Sequence, residues 1–253
     1  MALTRAVSPT LDRCELTHVG REPIDVARAA SQHAGYEAAL RSLGAEVVRI
    51  PAEPELPDAV FVEDAAIVLD ELAIMARPGA ESRRPEVPSV AAVLERYRRL
   101  GRLQPPATLD GGDVLVVGNR IYVGRSSRTN SEGVSALCHL ATPLGYGVRA
   151  VEVRGALHLK SAVTAIGAGR VLLNPQWVNR DEFRDFDVCL IDPAEPGAAN
   201  ALAIGDRVIY PTHYPRTAAV LEGMGLRVIA VDVDELAKAE GGVTCCSLIL
   251  RSN

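Results

Sequence analysis

The sequence has no apolar run near the about 20 residues needed to span a bilayer, and its N-terminus carries no charged-then-apolar leader. Those absences make a cytoplasmic protein with no membrane partner the expectation. A basic surplus is missing too: 27 Lys and Arg face 32 Asp and Glu, for a formal net charge of -5. Nucleic acid is thereby excluded as the main partner, because phosphate binding needs a basic surface; a small cationic ligand suits an acidic chain. The cysteines form no disulfide framework, no metal-ligand spacing and no Cys-X-X-Cys motif. They are five, at 14, 138, 189, 245 and 246, an odd number that points to free thiols in a reducing compartment. No linker or low-complexity stretch divides the chain, so residues 1–253 are expected to form one domain. What remains is ordinary soluble material: 48% hydrophobic and 23% charged residues, enough for a substantial core.

The tail 243–252 is less polar than a flexible end would be. Entered through Gly241-Gly242, it reads as a strand carrying a thiol. Alternation then sets Cys245, Ser247 and Ile249 on one face and Cys246, Leu248 and Leu250 on the other, which is expected to pack on a helix.

Upstream, hairpins are expected at 65–76 (turn Asp70-Glu71), 114–123 (turn Gly118-Asn119), 162–173 (turn Gly167-Ala168-Gly169) and 201–210 (turn Gly205-Asp206). Helices are expected at 89–100, 130–144, 177–183 and 216–224, and strands at 148–153, 187–191 and 226–231. The unit hairpin, helix, strand recurs with a period of about fifty residues, which points to a ring or array. A fifth copy is split across the termini. Its hairpin joins the tail 243–250 to a strand at 4–7, its helix runs over 25–43 between the cap Asp25 and the stop Gly44, and its last strand is 45–50. Closure removes every sheet edge. The expected fold is therefore a five-fold pseudo-symmetric α/β propeller, closed by the N- and C-terminal strands. Separate α/β layers without closure are the alternative.

In four of the five units the first strand begins with chemistry-bearing residues. The first unit has Glu63-Asp64, the second Asp110 and Asp113, the third His158, and the fifth Thr244-Cys245. In a ring of like units, equivalent positions gather at one end of the axis, so thiol, imidazole and acids would meet there. Taken singly, each has an ordinary reading. Cys245 can be a small buried hydrophobe, His158 a core histidine, Asp-Gly-Gly a turn, Glu63-Asp64 a strand end and Arg83-Arg84 a solvated face. Their shared register favours the joint reading. His18, His33, His139 and His213 show no such register and are read as structural or surface residues.

The segments Val60-Phe61-Val62-Glu63-Asp64, Arg77-Pro78-Gly79-Ala80 with Ser82-Arg83-Arg84, and Leu109-Asp110-Gly111-Gly112-Asp113-Val114-Leu115 resemble dimethylarginine dimethylaminohydrolases. So do Arg128-Thr129-Asn130, Leu157-His158-Leu159-Lys160-Ser161 and Val243-Thr244-Cys245-Cys246-Ser247, the whole running in order from about Leu16 to Leu250. The resemblance implies a guanidine-modifying hydrolase on a pentein-type five-fold propeller. It implies Cys245 as nucleophile, His158 as general acid and base, and Asp110 as the acid orienting His158. It further implies Asp58, Glu63 and Asp64 as substrate-binding acids, Arg83 and Arg128 as holders of the α-carboxylate, and Leu16 and Ala239 as backbone contacts. Ala239 stands where the family usually has a larger apolar residue. The implied reaction converts methylated arginines to citrulline and an amine through a Cys245 thiouronium intermediate, with no metal or organic cofactor. The implied partner is a small guanidino amino acid; the oligomeric state stays open, a homodimer included.

Three rivals stand beside this reading. An arginine deiminase would carry an inserted helical region that the sequence lacks. A non-catalytic propeller, such as an anti-association initiation factor of the ribosome, would not set thiol, imidazole and acid in register. A redox protein would rest on Cys245-Cys246, a pair strained as a disulfide.

Overall fold

A computed structural model describes residues 1–167 and 169–251. Ala168, in the turn expected for the third hairpin, and Ser252, at the end of the expected tail strand, lie outside the described residues.

The elements alternate along the chain. β1 (Ala2–Arg5), α1 (Val26–Ser42) and β2 (Val47–Ile50) come first, then β3 (Ala66–Val68), β4 (Leu72–Met75), α2 (Val87–Leu94) and β5 (Arg99–Arg102). β6 (Val114–Val117), β7 (Arg120–Arg125), α3 (Ser131–Ala141) and β8 (Gly147–Glu152) follow. Next are α4 (Leu159–Ala162), β9 (Val163–Ala165), β10 (Arg170–Leu173) and β11 (Asp187–Leu190). β12 (Leu202–Ile204), β13 (Arg207–Pro211), α5 (Pro215–Gly223), β14 (Arg227–Val231), α6 (Asp234–Ala237) and β15 (Leu248–Ile249) complete the set.

The strands form five three-stranded sheets, ordered β3-β4-β5, β6-β7-β8, β9-β10-β11, β12-β13-β14 and β15-β1-β2. In each, the first two strands pair antiparallel and the third joins the second in parallel. A parallel neighbour needs a crossover, and the helices supply it. α1 begins where the Asp25 carboxylate accepts the Arg28 N–H, and the chain turns away at Gly44 with φ 83°. The N-terminal strand and the tail strand do share the fifth sheet as expected, but the five sheets stay separate, so closure does not remove every edge: β2, β5, β8, β11 and β14 remain outer edges among the described residues.

The apolar interior is a ring of five clusters, one between each pair of neighbouring sheets. α2 seals Met75 and Leu3 with Leu248 and Leu250. α3 seals the next cluster through Leu137, and α5 does so through Leu221 two clusters on. α1 places Tyr36 and Leu40 over Cys246 and Ile209. The third unit has no long crossover helix. Phe183, from a 3-10 turn at Arg180–Phe183, fills that role and meets Tyr122 at 4.9 Å between ring centroids. Each unit's crossover thus wedges against the preceding unit, which holds the sheets in a ring.

Four further expectations need correction. The helix expected at 89–100 ends at Leu94, and Leu100 lies in β5; an edge strand reading Arg-Leu-Gly-Arg carries little apolar signal. The helix expected at 177–183 is only the 3-10 turn. The first strand starts two residues earlier than expected, at Ala2. The tail is a strand only at Leu248–Ile249, because β1 offers partners to those two residues alone. Residues 243–246 form a turn, in which Cys245 N–H bonds the Gly242 carbonyl at 3.2 Å and the Cys245 carbonyl accepts the Glu63 N–H at 3.2 Å. Strand alternation therefore does not sort the cysteines. Ser247 turns to the Tyr36 hydroxyl at 2.7 Å, and Cys246 joins the α1 cluster while Leu248 and Leu250 join that of α2.

Candidate active site

The residues that open each first strand lie in short turns at one end of the ring. Glu63 and Asp64 sit in a 3-10 turn at Val62–Ala65, and Asp110 precedes another at Gly111–Asp113. His158 caps α4, and Cys245 rides the turn before β15. The fourth unit's counterpart is Asn200, just before β12. Sequence reading passed over it, although its register alone marks it.

Three of these residues, Asp64, His158 and Cys245, line one cleft beside Phe61, and Asp110 lies directly behind His158. The cleft also takes in Glu15, Asp58, Arg83, Arg128, Ala239 and Glu240 around a narrow opening. His158 Nε2 is 3.0 Å from Asp110 Oδ2, and its Nδ1 is 3.8 Å from Asp64 Oδ1. Asp110 is itself fixed, its Oδ1 accepting the Gly79 N–H at 2.8 Å. Gly112 donates its N–H to Asp64 Oδ1 at 2.8 Å. Only glycine fits there: a Cβ would stand 2.6 Å from His158 Nδ1 and 2.7 Å from Asp64 Oδ1.

The charges follow from this packing. Burial opposes the His158 imidazolium, but Asp64, the Asp110 hydrogen bond and Asp113 outweigh it and raise the pKa to about 9. Burial also works against the Asp64 carboxylate, yet His158 and Arg83 hold it at about 2. The Cys245 thiol is pushed up to about 12 by burial, then by Glu63 and Asp64. The resting pair is therefore thiol and imidazolium. Asp64, Asp110 and His158 offer donor atoms within 4.8 Å of one another, a spacing that could seat a metal. The His158 imidazolium, bonded to Asp110 and facing Asp64, has no free lone pair to offer a metal.

Other expected residues sit differently. Arg83 is buried and committed, with Nη1 on Asp64 at 2.5 Å, Nε and Nη2 on Glu86 at 3.0 and 2.8 Å, and Nη2 also on the Asp58 and Phe61 carbonyls. It is not the open loop residue that its basic neighbourhood suggested. Arg128 is less tied, bonding Thr17 Oγ1 at 3.2 Å with Glu15 at 3.6 Å. Asp58 accepts the Glu15 N–H at 3.1 Å, and burial raises its pKa. Glu63 does not line the cleft. Its carboxylate pairs with Lys160 at 2.6 Å and accepts the Thr244 hydroxyl at 2.8 Å, facing the central channel. Leu16 packs on the α1 cluster.

Three residues without an assigned role in the sequence hold the site in place. Asp113 accepts the Leu159 N–H at 2.9 Å, the Thr129 hydroxyl at 2.7 Å and the Ser126 hydroxyl at 2.5 Å, tying the His158 segment to the Arg128 loop. Asn200 donates to Thr244 Oγ1 and accepts the Thr244 N–H, both at 3.0 Å, bracing the turn that carries Cys245. Glu240, with φ 58°, gathers the N–H groups of Thr17, His18 and Val19 and so pins the loop after Leu16 over the cleft. Contacts this remote leave no local signal.

Comparison with known proteins agrees with this geometry. The family described as N,N-dimethylarginine dimethylhydrolase, eukaryotic, matches over residues 19–188. A dimethylarginine dimethylaminohydrolase of Streptomyces coelicolor is 43% identical over 254 residues, covering 99% of this chain and 96% of its own. The chain belongs to the dimethylarginine dimethylaminohydrolase family. The Pseudomonas aeruginosa member is 35% identical over 240 residues, 94% of each chain. Its solved structure, a cysteine-to-serine mutant complexed with citrulline, superposes with a TM-score of 0.94 at 34% identity, over 98% of this chain and 97% of that one. This family member shares that protein's five-sheet α/β architecture, and among its described residues no helix is long and apolar enough to cross a membrane.

Proposed function

We propose that this protein hydrolyses Nω-methylated arginines to citrulline and methylamine or dimethylamine, with Cys245 as nucleophile and His158 as general acid and base. The observation that carries this is the meeting of Cys245, His158 and Asp64 in one cleft, with Asp110 behind His158. The family's printed name and the citrulline bound in a relative support the substrate class.

The chemistry follows from the charges. Paired carboxylates suit a planar guanidinium, which Asp64 would hold through charge-assisted hydrogen bonds; Arg128 is the freer arginine for the α-carboxylate. The bound cation offsets the acids that keep the Cys245 thiol protonated, so the thiol ionises to solvent. The thiolate forms an S–C bond to the guanidinium carbon. His158 gives its proton to the dimethylamino nitrogen, the C–N bond breaks with its pair on nitrogen, and dimethylamine leaves a cationic thiouronium. Neutral His158 then takes a proton from water, hydroxide adds to the carbon, and the C–S bond breaks with its pair on sulfur. Citrulline departs after losing a proton, and His158 is again charged. These steps need no metal or organic cofactor. The five free cysteines and a reactive thiol suit a reducing cytoplasm, and we read residues 1–253 as one catalytic domain.

The deciding assay offers arginine, monomethylarginine and asymmetric dimethylarginine in parallel and follows citrulline and each amine. Dimethylamine from the asymmetric substrate, with little ammonia from arginine, is expected. Faster turnover of arginine would overturn the proposal.

A further inference from the structure

A second cavity opens beside the cleft and shares Leu157, Glu240 and Gly241 with it. It offers about 210 Å3, and no step described above uses it. Its aromatic wall is Trp177, His213 and Tyr214. The His213 ring meets Tyr214 at 4.2 Å in an edge arrangement. Gly197 lets Tyr214 in, since a Cβ there would stand 2.3 Å from the phenol oxygen.

The polar atoms of this wall are unusual in one respect. His213 Nδ1 is buried and has no hydrogen-bond partner among the described residues. Leaving such an atom unpaired is costly, and a ligand in the cavity would supply the missing partner. Burial lowers the His213 pKa, against the pull of Asp234, Asp232 and Glu195, so the ring is neutral and keeps a lone pair. Of those carboxylates Asp232 and Asp234 also pair with Arg28, Glu195 carries no such cation among the described residues, and Glu240 stands in the shared wall. Aromatic faces, negative surroundings and one lone-pair acceptor together suit a small alkylammonium ion. The proposed reaction makes one next door: dimethylamine is a strong base and leaves solution chemistry as dimethylammonium.

We propose that this side cavity binds small alkylammonium ions and receives the amine released from the cleft. His213 Nδ1 accepts an N–H of the cation, and Trp177 and Tyr214 enclose its methyl groups. The receiving role rests on the proposed reaction; the binding does not.

Trp177 is the chain's only tryptophan, so the emission comes from one residue in this wall. Wild-type protein without substrate is titrated with dimethylammonium chloride, with sodium chloride holding ionic strength constant, and with tetramethylammonium as the cation lacking N–H. A saturable emission change is expected, weaker for tetramethylammonium, and weakened about tenfold in His213→Phe, which keeps a ring but no acceptor. A linear change, or one that His213→Phe leaves alone, overturns the site. The receiving role is read from product inhibition of methylarginine turnover. Dimethylammonium is expected to lower kcat in the wild type and to do so less in His213→Phe. Inhibition purely competitive with substrate and equal in both proteins would overturn that role, whereas absence of any methylarginine turnover would sink the proposed reaction and leave the fluorescence result to stand by itself.

Discussion

Glu63 and Asp64 are neighbours in sequence, yet they serve opposite sides of the floor across the ring axis. Asp64 faces the cleft with His158 and Cys245; Glu63 faces the central channel with Lys160 and Thr244. Both are buried. The channel side is closed electrically, one carboxylate against one ammonium at 2.6 Å. On the cleft side Asp64 is shared between Arg83 at 2.5 Å and His158 at 3.8 Å, and the Cys245 thiol is held neutral by burial first and then by Glu63 and Asp64. A buried carboxylate closed on one ammonium maintains the fold, and a buried carboxylate shared among several partners can turn to a cationic substrate.

The channel side should break first in stability. Lys160→Met leaves Glu63 as an uncompensated buried carboxylate, and removing one partner of such a pair costs about 3–5 kcal/mol. Urea unfolding should show that loss, and adding Glu63→Gln to the same chain should recover part of it. Wild-type stability in Lys160→Met would erase the contrast.

The cleft side should respond in pH dependence. His158 is the proton donor in its charged form, and its folded pKa of about 9 lies above the ordinary 6.5. Turnover should therefore fall as pH rises through about 9, and His158's contribution to stability, complete below pH 6.5, should fade over the same rise. Asp64 acts in the other direction. Held at about 2 against an ordinary 3.8, it contributes stability above pH 3.8 that is lost as pH falls toward 2. Asp64→Asn removes an anion facing His158, so the alkaline limb of kcat and the NMR titration of the imidazole should both move to lower pH. An unmoved limb would mean that Asp64 does not set the acid.

Much of this was legible in the sequence for physical reasons. Strand alternation and turn residues mark the hairpins, and their recurrence sets Glu63-Asp64, Asp110, His158 and Cys245 in one register. What escaped depends on tertiary context. The β5 strand is an exposed arginine-bearing edge with Leu100 as its one large apolar residue. The residues around Cys245 look strand-forming, but a bond to Glu63 and a tight Gly242 turn hold them otherwise. Lys160 and Glu240 act through partners 97 and up to 223 residues away, and no local pattern announces them.

The central claim is a covalent bond at Cys245, and the most direct measurement is mass spectrometry of enzyme quenched in acid during turnover of asymmetric dimethylarginine. The account predicts an adduct equal to substrate less dimethylamine, on Cys245 and not on the buried Cys246, and neither adduct nor citrulline from a folded Cys245→Ser protein. An adduct on Cys246, or citrulline formed by Cys245→Ser at the wild-type rate, would contradict it.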